Sequence, residues 1–181
     1  MTLYLIRHTS VAVEFGTCYG WTDVPVSDHF EQEAALTKAA LADLHFDRVY
    51  MSPLTRAKQL AVYCGYADAI EEPRMKEMHM GDWEMKRFND IHDPELKQYF
   101  EHYLDVPTKN GESFRDLYRR VSSFLDDLRQ MAAKDDSIKK VAVFCHGGPI
   151  ICALVYAGLV PIEEGYNNIP DYASVTKIEL E

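Results

Sequence analysis

The sequence predicts a three-layer α/β/α sandwich built on a mostly parallel central sheet, and three observations lead there. Leu3-Tyr4-Leu5-Ile6, Arg48-Val49-Tyr50-Met51 and Val141-Ala142-Val143-Phe144-Cys145 are short, nearly continuous apolar runs, the pattern of strands buried on both faces. The stretches between them carry apolar residues at helical spacing, so helices should cover both faces of the sheet. Ser174-Val175-Thr176-Lys177-Ile178-Glu179-Leu180 alternates, as a half-exposed edge strand does.

Phe30, Ala34, Thr37, Leu41 and Leu44 mark the face of the first helix, and Leu54, Ala57, Ala61 and Cys64 that of the second. Ser52-Pro53 reads as an N-cap with proline at the first helical position, and Asp93-Pro94 repeats the device before Leu96, Tyr99, Phe100 and Tyr103. Ser113-x-x-Asp116 has the spacing of a capping box. It opens a long helix with Phe114, Leu117, Tyr118, Val121, Leu125 and Leu128 on one side. No repeat, low-complexity tract or Gly/Ser linker interrupts the 181 residues, so one domain over 1–181 is expected.

Composition narrows the function. An apolar content of 47% with 12% aromatics is enough for a real core, which sets aside disorder and a disulfide-stapled miniprotein. Nineteen Lys plus Arg against 29 Asp plus Glu leave a net charge of −10. That balance argues against a general nucleic-acid or membrane-surface binder and leaves small anions, held in a local basic pocket, as the expected partner. Cys18, Cys64, Cys145 and Cys152 form no CxxC pair, and buried thiols in a reducing cytoplasm fit them best. The apolar start of the chain meets Arg7-His8 too early for a signal or membrane segment, so a cytoplasmic protein is expected.

The chemistry lies at the strand ends. In an open α/β sheet the carboxyl ends of the strands border the ligand crevice. Here the first strand delivers Arg7-His8, the second leads through Ser52-Pro53 to Arg56, and the last delivers His146-Gly147-Gly148. Two imidazoles and two guanidiniums suit phosphoryl transfer through a nitrogen nucleophile: a neutral imidazole attacks phosphorus, and planar, permanently charged arginines hold its oxygens. Backbone N–H groups at Gly147 and Gly148, opening a helix, add anion donors. Any one of these motifs is weak, and Arg56 alone reads as an exposed helical arginine; their joint placement carries the inference. His29, His45, His92 and His102 read as surface or packing residues. A leaving alkoxide also needs a proton, for which Glu77, Asp82 and Glu84 compete; ordinary loop solvation is the alternative for Asp82 and Glu84.

Taken together, Leu5-Ile6-Arg7-His8, Ser52-Pro53-Leu54-Thr55-Arg56-Ala57-Lys58-Gln59 and Phe144-Cys145-His146-Gly147-Gly148 resemble the three signatures of the histidine phosphatase superfamily, which includes cofactor-dependent phosphoglycerate mutases. Glu77-Met78-His79-Met80-Gly81-Asp82-Trp83-Glu84 resembles the segment with that family's proton donor. The resemblance spans nearly the whole chain and implies a phosphoglycerate mutase-like fold. It also implies His8 as phosphorylated nucleophile, Arg7, Arg56 and His146 around the phosphoryl group, and Glu77 as general acid. No cofactor or metal is implied, since two arginines supply the charge; His79 near Glu77 is the only hint of a ligand pair.

One departure stands out: Thr9-Ser10-Val11 follows Arg7-His8 where the family has Gly-x-Thr, and Glu14 occupies the place of an Asn that lines the phosphate site. The loops 16–25, 81–85 and 106–114 resemble a bacterial subgroup acting on α-ribazole 5′-phosphate in cobalamin assembly. On that likeness Tyr19, Gly20 and Trp21 are the expected substrate contacts. Trp83, Tyr99 and Tyr103 are further candidates for an aromatic wall, with the core as the alternative for several of these rings. Three other activities remain open: a mutase, a phosphatase of sugar phosphates or phosphohistidine, and a non-catalytic phospholigand-binding module. The short insertion between Trp83 and Ser113 favours hydrolysis over the mutase, and the presence of His8, Glu77 and His146 argues against a mere binding module.

Overall fold

The computed structural model describes residues 1–180. Its strands are β1 (Thr2–Arg7), β2 (Arg48–Met51), β3 (Ile70–Glu71), β4 (Lys140–Cys145) and β5 (Val175–Glu179), and they form one sheet in the order β3-β2-β4-β1-β5. β1, β2, β3 and β4 run parallel to one another, while β5 pairs antiparallel with β1, Thr2 facing Glu179 and Ile6 facing Val175. The alternating segment is therefore the edge strand its pattern foretold, lying against the first strand rather than beside the last parallel one.

Five helices flank the sheet: α1 (Phe30–Leu41), α2 (Thr55–Tyr63), α3 (Leu96–His102), α4 (Phe114–Lys134) and α5 (Gly147–Tyr156). Alternate side chains of one strand enter different layers. Leu3, Leu5, Val141, Val143 and Cys145 pack with Leu117, Val121, Leu125 and Ile150 of α4 and α5. Tyr4, Ile6, Ala142 and Phe144 pack with Ala34, Leu41, Leu60 and Ala61 of α1 and α2. Burial on both sides explains why these strands read as unbroken apolar runs.

Three boundaries differ from expectation. α1 ends at Leu41, so Leu44 packs from the following turn. α2 starts at Thr55, two residues beyond Pro53, and no side chain within its own cap bonds its first turn. Asp23 does so from the loop after β1, accepting from the Thr55 N–H at 2.8 Å and the Thr55 hydroxyl at 2.6 Å. α3 begins at Leu96 because Asp93 first closes a turn, its carboxylate accepting the Glu95 N–H at 2.9 Å. β3, two exposed residues long, has no periodicity from which to read it.

The capping box forms in full: Ser113 Oγ accepts the Asp116 N–H at 3.2 Å and Asp116 Oδ2 accepts the Ser113 N–H at 3.1 Å. Ser113→Ala should therefore lower stability by about 1 kcal/mol. Denaturant unfolding checks this, and an unchanged midpoint would show that the cap contributes nothing.

Candidate active site

Parallel pairing brings the functional ends of three strands into one row. Arg7 lies beside Cys145 and Met51 beside Phe144, and the ladder continues one residue further: the His8 N–H donates to Cys145 O at 3.0 Å, and the Ser52 N–H to Phe144 O at 2.8 Å. His8, Ser52 and His146 thus leave the sheet together, with the His8 and His146 rings 5.1 Å apart. Both histidines are buried.

The tautomers follow from hydrogen bonding. His8 Nδ1 lies 2.7 Å from Thr9 O, and a carbonyl only accepts, so Nδ1 carries the proton and Nε2 presents a lone pair. Burial, then the positive Arg56, push the His8 pKa down to about 3, so the ring is neutral at physiological pH. His146 Nε2 lies 2.7 Å from Ser52 Oγ, which itself accepts the Leu54 N–H at 3.3 Å. The Ser52 hydroxyl thereby holds one ring nitrogen of His146, and the other, Nδ1, is a buried atom with no partner. Burial, followed by Arg56, also drives the His146 pKa well below its usual value.

The two arginines are held by backbone oxygens. Arg56 is wholly buried and donates from Nη1 to Thr22 O at 3.1 Å and from Nη2 to Gly20 O at 2.6 Å. Arg7 Nη1 donates to Pro170 O. The Nε of each is buried without a partner, and among the described residues neither guanidinium has an ion pair. Two tyrosines lie against them: Tyr172 beneath the Arg7 guanidinium at 3.9 Å and Tyr19 near Arg56 at 5.4 Å, their hydroxyls 3.0 Å apart.

Glu77 faces this group from the segment after β3. Its Oε2 accepts the Gly148 N–H at 3.2 Å, and its Oε1 accepts the Met78 N–H at 2.8 Å. A Cβ on Gly148 would lie 2.2 Å from Glu77 Oε1, so glycine is what lets the carboxyl approach the start of α5. The competing carboxylates do other work. Glu84 accepts four backbone N–H groups, from Gly20, Trp21, Thr22 and Met80, and so ties the loop after β1 to the Glu77 segment. Burial raises its pKa, but the Thr22 side chain and the backbone donors outweigh that and hold it below the usual range. Asp82 accepts from Asn110 at the surface.

A cavity of about 460 Å³ opens beside the charged group, lined by Arg7, Tyr19, Glu77, Gly147 and Gly148 at one end and by Met78, Met80, Phe88, Tyr99, Phe100, Tyr103, Ile151, Tyr166 and Ile169 elsewhere. Tyr19, Tyr99 and Tyr103 stand where the wall was expected. Trp83 does not: it is buried, meets Tyr99 edge-on and donates to Asp93 at 3.0 Å. Gly20 and Trp21 are also absent from the lining. Gly20 presents its carbonyl to Arg56, while the Trp21 indole N–H donates to Glu77 O at 2.7 Å and its ring packs on Lys76 and His79. Trp21 thus holds the backbone of Glu77, which faces the cavity, and Gly20 holds the buried Arg56. Glu14 stays outside the site, mostly exposed and paired with Arg87. His79 has no metal-binding company: no three His, Cys, Asp or Glu side chains cluster as a metal site among the described residues.

Residues 3–181 match the model of the histidine phosphatase superfamily, branch 1. The chain belongs to that superfamily. Among relatives of this histidine phosphatase, the adenosylcobalamin/alpha-ribazole phosphatase of Salmonella typhimurium is 31% identical over 136 residues, covering 71% of this chain and 67% of the relative. Phosphoserine phosphatase 1 of Hydrogenobacter thermophilus is 28% identical over 135 residues, covering 71% and 64%. The crystal structure of the alpha-ribazole phosphatase from Shigella flexneri superposes with a TM-score of 0.88 over 100% of this chain and 91% of that one, at 23% identity, and shares the fold.

Sequence reading missed several participants in this histidine phosphatase. Ser52 was expected as a helix cap, yet its hydroxyl supports His146; the strand end beside it was the available signal. Tyr172, Tyr166 and Ile169 come from the loop before β5, where no motif marks them.

Burying two neutral imidazoles ties stability to pH. Below about pH 6.5 the unfolded chain takes up protons on these histidines while the folded chain, with depressed pKa values, does not. Stability should therefore fall as pH drops from 7 toward 4, His8 alone accounting for about 2 kcal/mol between pH 6.5 and 4.5 and His146 acting in the same direction, and gain nothing from this source above pH 7. Urea unfolding across that range tests it against a folded His8→Asn variant, whose slope with pH should be shallower; an identical slope would refute the linkage.

Proposed function

We propose that this histidine phosphatase hydrolyses phosphomonoesters through a phosphohistidine on His8, and that its substrate is α-ribazole 5′-phosphate. The observation that carries the chemistry is the pair of guanidiniums, Arg7 and Arg56, with buried Nε donors and, among the described residues, no ion pair to a carboxylate, beside an imidazole whose Nε2 is unprotonated. Such a site awaits an anion with several oxygens. In the first step His8 Nε2 forms a bond to phosphorus as the ester P–O bond breaks, and Glu77 gives its proton to the departing oxygen. Arg7, Arg56, the Nδ1–H of His146 and the Gly147 N–H hold the phosphoryl oxygens as charge builds on them. In the second step water attacks phosphorus, its proton passes to Glu77, and the N–P bond breaks to release phosphate. The fixed positive charge of the arginines is the reason to expect no need for a divalent metal.

The substrate reading rests on the cavity wall together with the alpha-ribazole relatives. Beyond the charged end the lining is aromatic and aliphatic, with Arg7 its only cation among the described residues, and on this reading Arg7 is taken up by the phosphate. A flat, apolar base suits that surface. The amino-carboxylate of phosphoserine, or the carboxylate of 3-phosphoglycerate, would find no charge of its own to meet.

Substrate labelled at phosphorus should leave acid-labile, alkali-stable label on the wild-type protein after rapid quenching, and none on His8→Ala. Label persisting in that variant would remove His8 from the nucleophile role. Activity should survive EDTA; loss on chelation with recovery on one specific metal would overturn the metal-free mechanism. In a comparison of kcat/KM, α-ribazole 5′-phosphate should exceed phosphoserine, 3-phosphoglycerate, AMP, fructose phosphates and a phosphohistidine peptide by at least about tenfold, or 1.4 kcal/mol of transition-state binding. Preference for any of the others by that margin would discard the ribazole assignment and keep the phosphatase chemistry.

A further inference from the structure

Arg120 of α4 is not among the residues lining the cavity, and each of its donors is committed either to the segment that carries Glu77 or to Glu112. Nε donates to Glu112 Oε1 at 2.8 Å. Nη1 donates to Arg74 O and to Lys76 O, each at 2.7 Å, and Nη2 to Glu77 O at 2.8 Å and Glu112 Oε2 at 2.9 Å. A guanidinium has five N–H groups, so none is left over. Glu112 completes the frame: its Oε2 also accepts the His79 N–H at 2.8 Å, and its backbone N–H donates to His79 O at 2.8 Å. Backbone oxygens at 74, 76 and 77 and the amide at 79 are thereby fixed from one ion pair whose side chains are largely buried.

We infer that Arg120, braced by Glu112, is a positioning residue for the proton donor: it sets where the Glu77 carboxyl sits relative to the ester oxygen of the substrate. This rests on the reading of Glu77 as general acid. The segment has no regular secondary structure to stiffen it, since 76–80 follows a single 3₁₀ turn (Pro73–Met75) and precedes another (Gly81–Trp83). Its carbonyls therefore need partners from elsewhere, and a planar fork with five fixed donors supplies them where a lysine ammonium could not. Proton transfer to a leaving group demands a heavy-atom separation near hydrogen-bond length, so a displacement of about 1 Å at Glu77 is costly for catalysis while barely affecting phosphate held by Arg7 and Arg56.

The test compares Arg120→Lys, Glu112→Gln and Glu77→Gln on two substrates, an alkyl phosphate with a poor leaving group and p-nitrophenyl phosphate, whose phenolate needs little protonation. Inhibition by inorganic phosphate is measured alongside, and circular dichroism and thermal unfolding identify folded variants. Both Arg120→Lys and Glu112→Gln should lose at least tenfold more kcat on the alkyl ester than on p-nitrophenyl phosphate, with inhibition by phosphate within about twofold of wild type. Glu112→Gln removes one charge and keeps the three carbonyl contacts of Arg120, so it is the variant to judge by if Arg120→Lys does not fold. Equal losses on both substrates, or none, in the folded clamp variants while Glu77→Gln shows the leaving-group dependence would overturn the positioning role alone. Absence of that dependence in Glu77→Gln itself would overturn the general-acid reading and the positioning role with it.

Discussion

Two arginines without an ion pair among the described residues, one wholly buried and one partly buried, are the constraint around which this molecule is arranged. Arg74, Arg87, Arg115, Arg119 and Arg120 all reach carboxylates. Arg7 and Arg56, at the centre, lean on peptide oxygens and aromatic faces instead. Burying a cation costs several kcal/mol unless something compensates it, and carbonyl dipoles compensate only in part. Burial accordingly lowers the Arg56 pKa, with Glu77 the nearest opposing influence. An internal salt bridge would relieve the cost and abolish the site. What remains is a local concentration of positive charge on a chain of net charge −10, and on the reading proposed above it is what attracts the phosphoryl group.

Burial, reinforced by the same charges, sets the state of the histidines. A proton on either imidazole would sit beside Arg56 in a dry site, so both rings stay neutral. A single neighbour fixes each ring: at His8 the Thr9 carbonyl accepts from Nδ1 and leaves Nε2 with its lone pair, and at His146 the Ser52 hydroxyl bonds Nε2 and leaves Nδ1 without a partner.

Holding that arrangement falls to irregular backbone. The Thr22 and Gly20 carbonyls of the loop after β1 accept from Arg56 while Glu84 accepts from N–H groups of the same loop, so the two directions of its hydrogen bonding are satisfied by opposite charges. Gly20 passes so close to Met78 O that a Cβ would lie 1.8 Å from it, and no larger residue could stand there without moving one of the two chains. The Glu77 segment is braced from three sides: by Glu84, by the Trp21 indole and by the Arg120–Glu112 pair. The scaffold is thus a sheet edge plus two loops pinned by charged side chains, and stiffness in the loops comes from those pins rather than from secondary structure.

Local chemistry determined a large part of this protein. Apolar runs such as Leu3–Ile6 and 141–145 declare buried parallel strands because any side chain on them meets a helix, and Ser113 with Asp116 declares a helix start through contacts three residues apart. Arg7, His8, Arg56 and His146 were legible because strand ends in such a sheet converge by topology. Tertiary structure decided whatever depends on partners distant in the chain. Asp23 caps α2 from 32 positions away, Ser52 meets His146 across 94, and Arg120 grips Glu77 across 43. Nothing local distinguishes Glu84, an anchor for four amides, from Glu77, whose carboxyl faces the cavity, or Trp83 in the core from Tyr99 on the wall. Those distinctions arise only when the loops close on one another, since a carboxylate's role is set by which donors surround it and a ring's by which of its faces the packing leaves uncovered.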